Sequence, residues 1–102
     1  MDFLVFLTVT FPACLDDDVI EGLVRAERVR GRELRASGAL RQIWRVSAPE
    51  VEAEVTQLSN VGLWSAGDRQ QLDGLLSSLP LWPFARADIL AVQQHPLDMP
   101  DQ

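Results

Sequence analysis

The chain contains no lysine and no tyrosine, a single histidine, His95, and a single cysteine, Cys14. Without lysine there is no Schiff-base chemistry, and without tyrosine no phenolic acid. One cysteine cannot close an internal disulfide. A zinc site draws on three or four ligands, usually His and Cys, so no metal centre is expected. Neither G-x-G-x-x-G nor G-x-x-x-x-G-K-[ST] occurs, so no nucleotide cofactor is expected either. The run from Leu63 to Gly67 lacks the first glycine of a nucleophile elbow, and no serine nucleophile is assigned there. The start, Met1-Asp2, has no basic segment, and its apolar run is short. Neither a secretion signal nor a membrane span is expected, and the cytoplasm is the expected location. Positive charge is scarce: nine arginines face fifteen acidic residues, a net charge of −6. An acidic surface repels phosphate backbones, so nucleic acid is not an expected partner.

What is present suits one soluble domain spanning residues 1–102, with 47% apolar and 24% charged residues. Residues 3–11 read as a strand, with Phe3, Val5, Leu7, Val9 and Phe11 on one face and Pro12 at its end. Asp16, Asp17 and Asp18 suit the first turn of a helix reaching Ser37, with Asp16 as N-cap and Gly38 as the stop. The Asp run has no EF-hand spacing and is read as capping. Residues 39–47 form a second strand, with Leu40, Trp44 and Val46 on one face. Residues 48–58 fit two patterns. Val51, Ala53 and Val55 alternate with Glu50, Glu52 and Glu54, yet Val51, Val55 and Leu58 also make a helical stripe. Residues 60–65 read as a third strand. Asp68 and Gln71 open a second helix as a capping box, Leu72, Leu75, Leu76 and Leu79 form its apolar stripe, and Pro80 stops it. Residues 84–93 form the last strand, and an exposed tail begins near residue 94. The order β-α-β-β-α-β is α+β and ferredoxin-like, with both helices on one face of an antiparallel sheet. The other face then needs a cover, and a second sheet is expected there.

Three groups could carry chemistry. Ile20, Leu23, Gly31 and Leu34 share one helix face, and Glu27 sits at its centre. A carboxylate on a core-facing stripe is costly unless paired, and burial raises its pKa toward that of a general base. The alternative is an edge position with an arginine partner. Arg41 and Arg45 are expected on one face of the second strand, with Ile43 between them, roughly 13 Å apart along it. Such a pair could grip a carboxylate and steady an enolate, or could simply be solvated. Trp44 falls on the opposite side of that strand. His95 is a candidate proton carrier or an exposed tail residue. Cys14 has no activating base nearby in sequence.

Three segments resemble the muconolactone isomerase family. They are Ala26-Glu27-Arg28, then residues 38–45 (GALRQIWR), close to G-x-W-R-x-L-W-R, and residues 79–84 (LPLWPF), close to L-P-L-F-P-Y, with His95-Pro96 following at the matching distance. The resemblance covers nearly the whole chain. It implies a cofactor-free catabolic isomerase of the β-ketoadipate pathway for aromatic compounds. Its reaction would convert muconolactone to the 3-oxoadipate enol-lactone. It also implies a dimeric α+β barrel, with sheets paired and dimers assembling further, up to a decamer. On this basis Glu27 and His95 are the catalytic candidates. Arg28, Arg41, Trp44, Arg45, Trp82 and Phe84 are the substrate-binding ones. The chain departs from the pattern at Leu40, where the family has Trp, at Phe84, where it has Tyr, and at Ser65, where it has Asp. About eight residues are inserted between Arg45 and Asn60. These departures leave room for two other readings. One is an isomerase or cyclase of a polyketide-like intermediate; the other is a non-catalytic binding or assembly module on the same scaffold.

Overall fold

The computed structural model describes residues 1–46 and 57–98. Strand β1 (Asp2–Thr10) leads into helix α1 (Asp17–Ser37), which returns to strand β2 (Leu40–Arg45). Strand β3 (Gln57–Ser65), helix α2 (Arg69–Ser77), a 3₁₀ turn (Trp82–Phe84) and strand β4 (Ala85–Val92) follow, and a second 3₁₀ turn (Pro96–Asp98) lies in the tail. The sheet order is β2-β3-β1-β4 and every neighbouring pair is antiparallel. This is the α+β, ferredoxin-like arrangement expected from the element order.

Local chemistry explains most boundaries. Asp16 is the α1 N-cap through its backbone: its carbonyl accepts from the Val19 and Ile20 amides, and its side chain makes no capping bond. Asp17 and Asp18 complement the helix dipole. Gly38 ends α1 with φ +84°, a left-handed conformation that glycine adopts freely, and its N–H donates to the Arg35 carbonyl. At α2 the Asp68 carboxylate accepts from the Gln71 amide at 2.8 Å. The Gln71 side chain accepts from the Gly67 amide, one residue before the position a capping box uses. The helix stops at Ser77, before Pro80 is reached, and Leu79 joins the core from the following turn.

Alternation along β1 sends Phe3, Val5, Leu7 and Val9 to the helices, where all four are buried. Phe3, Val5 and Leu7 pack with Leu34 of α1, Leu40, Trp64, and Leu72 and Leu76 of α2. A second cluster gathers Val9, Phe11 and Leu81, with Ile20, Leu23, Val24 and Phe84 against it. The opposite sheet face carries Leu4, Phe6, Val61, Leu63, Trp44 and Leu90, of which Trp44 and Leu90 are 50% and 56% exposed.

The structure corrects the phase of β2. A register shift between Leu40 and Gln42 breaks its alternation. Leu40 pairs with Trp64 on the helix side, but Trp44 pairs with Val61 on the open side. Leu40 and Trp44 therefore do not share a face. Arg41 and Arg45 are likewise out of phase, because an extra residue in one strand turns everything after it over. The last strand also begins one residue later than expected, since Phe84 closes the 3₁₀ turn. Of the 48–58 segment, residues 48–56 lie outside the described residues, and Gln57 and Leu58 belong to β3.

Candidate functional site

Glu27 stands on the inward side of α1, between the two apolar clusters. Its neighbours one turn away, Leu23 and Gly31, are half-buried, and so is Glu27. Its Oε2 accepts a hydrogen bond from the backbone N–H of Leu81 at 3.0 Å, across 54 residues of sequence. Burial holds the carboxyl above the ordinary glutamate range, and the Leu81 N–H pulls in the other direction without cancelling it. No arginine pairs with Glu27 among the described ion pairs. One turn further along α1, Arg30 donates to Ser78 Oγ at 3.0 Å and to Glu33 at 3.2 Å. Helix α1 is thus tied twice to the chain that leaves α2.

The other candidates are dispersed. Arg45 pairs with Asn60, which in turn pairs with Leu7. Since Leu7 faces the helices, Arg45 and Asn60 lie on the helix side of the sheet, Asn60 half-buried and Arg45 exposed at its edge. Arg41 instead reaches Asp2, with Nη1 to Oδ2 at 3.2 Å. Asp2 alternates with buried Phe3, so this pair belongs to the open side. A two-arginine clamp is therefore not formed within one subunit. Trp44 is on the open face and exposed; Arg28 is exposed on α1. Trp82 packs partly against the main core. Phe84 packs on Phe11, ring centroids 5.7 Å apart and tilted by 49°. His95 follows the far end of β4, with its Nδ1 accepting from the Leu97 amide at 3.1 Å. Val92 pairs with Asp2 and Ala85 with Val9, so seven strand steps of about 3.3 Å separate the two ends of β4. The Leu81 end and the His95 end are thus more than 20 Å apart, by roughly that spacing, and one subunit does not join Glu27 to its own His95.

Two features escaped the sequence. The Leu81 amide carries no side-chain signature, although Pro80 and Pro83 mark the neighbouring positions that cannot donate. Asn60 was legible only as the start of a strand, because its facing depends on a register that sequence does not display. A surface groove bounded by Thr8, Thr10, Pro12, Phe84, Arg86 and Asp88 opens on the side of the sheet away from α1, and Glu27 does not line it. Among the described residues no cluster of three His, Cys, Asp or Glu side chains could hold a metal ion. No described helix is long and apolar enough to cross a membrane.

The family model for muconolactone delta-isomerase matches residues 1–98. The chain belongs to the muconolactone delta-isomerase family. As such it is an enzyme of the intramolecular isomerase class. A muconolactone delta-isomerase of Acinetobacter baylyi is 27% identical over 101 residues, covering 99% of this chain and 97% of that one. The Rhodococcus opacus muconolactone delta-isomerase is 29% identical over 97 residues, covering 95% and 96%. A crystal structure of muconolactone isomerase superposes with a TM-score of 0.82 at 24% identity, covering 100% of this chain and 98% of that one, so the two share a fold. Within the family frame, the departure at residue 40 falls in the core, since Leu40 is buried against Trp64. The departure at residue 84 puts a ring without a hydroxyl beside Phe11.

Proposed function

We propose that this chain is a cofactor-independent isomerase that shifts the ring double bond of muconolactone, or of a close small lactone, with Glu27 as the base. The observation that carries the reading is a half-buried carboxylate held at a fixed point by a backbone donor and raised by burial. A butenolide double-bond shift needs little more. The base removes the acidic ring proton at the γ carbon, the electrons move into a dienolate, and the same acid returns the proton at the α carbon. Nothing is oxidised and no atom is lost. The developing enolate oxygen needs a donor, and Arg45, exposed on the helix side of β2 opposite Asn60, is the charged group on that side of the sheet to supply it. His95 would act only in a neighbouring subunit's site, given its distance from Glu27 in its own. Phe84 in place of the family's Tyr favours a second reading, a related lactone or polyketide-like ring that needs no phenol in the pocket.

The working unit in this proposal is a cytoplasmic homo-oligomer, minimally a dimer with sheets face to face. Its support is the apolar open face of Leu4, Phe6, Trp44, Val61, Leu63 and Leu90, which neither helix covers. The test of function is turnover of muconolactone by purified protein, followed by ultraviolet absorbance, with the Glu27→Gln variant alongside. Glutamine can still accept the Leu81 N–H but cannot hold a proton for transfer. Turnover should fall by about 10² to 10⁴, the usual contribution of a positioned base. Near-normal turnover in Glu27→Gln would refute the assignment.

A further inference from the structure

We infer that the backbone N–H of Leu81 is a positioning group for the reaction: it anchors Oε2 of Glu27 and leaves Oε1 to exchange the proton with substrate. The inference rests on Glu27 being the base. An account of the amides in this segment carries it. Pro80 and Pro83 have no N–H to give. The Trp82 amide donates to the Leu79 carbonyl and the Phe84 amide to the Leu81 carbonyl, both at 3.0 Å. The Ala85 amide donates to the Trp82 carbonyl. From 80 to 85 the turns use every amide except that of Leu81, and this one points at Glu27. A buried amide must find a partner, and the carboxylate supplies it.

The segment is also stiff. Two prolines fix their own φ angles. The Leu81 side chain is buried beside Val9 and Phe11, and Phe84 stacks on Phe11. The donor therefore cannot follow Glu27 if the helix shifts. Meanwhile Arg30 and Ser78 hold α1 a turn away. Glu27 Oε1 has no hydrogen-bond partner among the described residues. One oxygen anchored and the other free is what a base that must pick up and return a proton requires.

The charged surroundings are sparse. Arg30 on the same helix is engaged by Ser78 and Glu33. Arg45 is the charged residue on the inward side of β2, and the inward sides of β1 and β4 and the whole of 79–84 carry none. The Leu81 N–H is thus the direct stabiliser of ionised Glu27, and removing it should raise the carboxyl's titration midpoint.

The experiment replaces Leu81 by its α-hydroxy acid analogue through nonsense suppression, which turns the Pro80-Leu81 amide into an ester and keeps the side chain. Carbon-13 NMR of the Glu27 carboxyl and the pH dependence of kcat/KM on muconolactone are then measured in the full-length protein. The expected result is an upward move of the carboxyl midpoint and of the acid limb of kcat/KM together. An unmoved carboxyl midpoint would overturn the inference. A midpoint that moves while the rate profile stays in place would overturn Glu27 as base, and so the function reading beneath it. Should the ester not fold, the unmodified protein serves: the Leu81 amide proton should shift with pH at the same midpoint as the acid limb. An amide signal insensitive to that titration would likewise refute the tie.

Discussion

Replacing Gly62 by alanine tests the helix-side layer in which the site is built. Gly62 pairs with Val5 on one side and Ile43 on the other. A Cβ placed there would stand 2.7 Å from Trp64 Nε1, 3.3 Å from Trp64 Cδ1 and 3.2 Å from Leu40 Cδ1. The first distance is well inside van der Waals contact. Trp64 and Leu40 are only 2% and 4% exposed, so neither can yield toward solvent. Overpacking of this kind costs about 1–3 kcal/mol. Alanine recovers roughly 0.5–1 kcal/mol of backbone entropy relative to glycine in a strand. The net loss is therefore about 1–2 kcal/mol, and at ~4–8 °C per kcal/mol for a domain near this size, Tm should drop by about 5–15 °C. Thermal unfolding by far-ultraviolet circular dichroism at fixed protomer concentration measures it, and near-ultraviolet spectra should report the displaced Trp64 indole. A variant as stable as the parent would show that the indole and Leu40 do not crowd Gly62 and that this packing is wrongly described.

Glu27→Gln should raise stability at neutral pH while it lowers turnover. Because burial raises the folded-state value of Glu27, the folded protein binds this proton more tightly than the unfolded chain does. The wild type therefore loses stability as pH rises from the ordinary carboxylate range through the raised value. The variant's advantage should be absent in acid, grow across that window and level off above it; denaturant melts at several pH values that showed a constant or reversed difference would contradict the burial argument. Trp44→Glu and Leu90→Arg together should convert an assembly into monomer, since both side chains stand exposed on the apolar sheet face. Light scattering at micromolar concentration checks this, and a wild-type protein that is already monomeric would refute the sheet-to-sheet pairing.

The parts of the fold that sequence displayed were those written in local chemistry. Pro12, Gly38, Asp68 and the alternation of β1 each act within a few residues, and the structure places all of them in those roles. Glu27 was legible for the same reason, since helical spacing alone puts it between Leu23 and Gly31. What stayed hidden was set by pairing between distant segments. Nothing in Leu40-Arg41-Gln42 announces a bulge: no glycine or proline marks it, and strict alternation is the natural reading of the six residues. Residues 57 and 58 read as part of an ambiguous segment because their pairing with Thr10 and Val9 of β1, not their composition, makes them strand.

The bulge also decides how the family-like stretch from Gly38 to Arg45 divides its work. Before it, Leu40 enters the core against Trp64. Within it, Arg41 reaches across β3 to Asp2 of β1 and offers its carbonyl to the Arg35 side chain near the end of α1. After it, Trp44 goes to the open face and Arg45 to the helix side, where it is exposed. A single strand therefore contributes one residue to the core, one to a surface ion pair, one to the open apolar face, and one to the exposed edge of the helix side. An exposed ion pair such as Arg41 with Asp2 contributes little to stability, about 0–1 kcal/mol. Arg45 has no described ion-pair partner to give up. Of the two arginines it is the one that stands on Glu27's side of the sheet, which is why the proposed reaction assigns the enolate to it and not to Arg41.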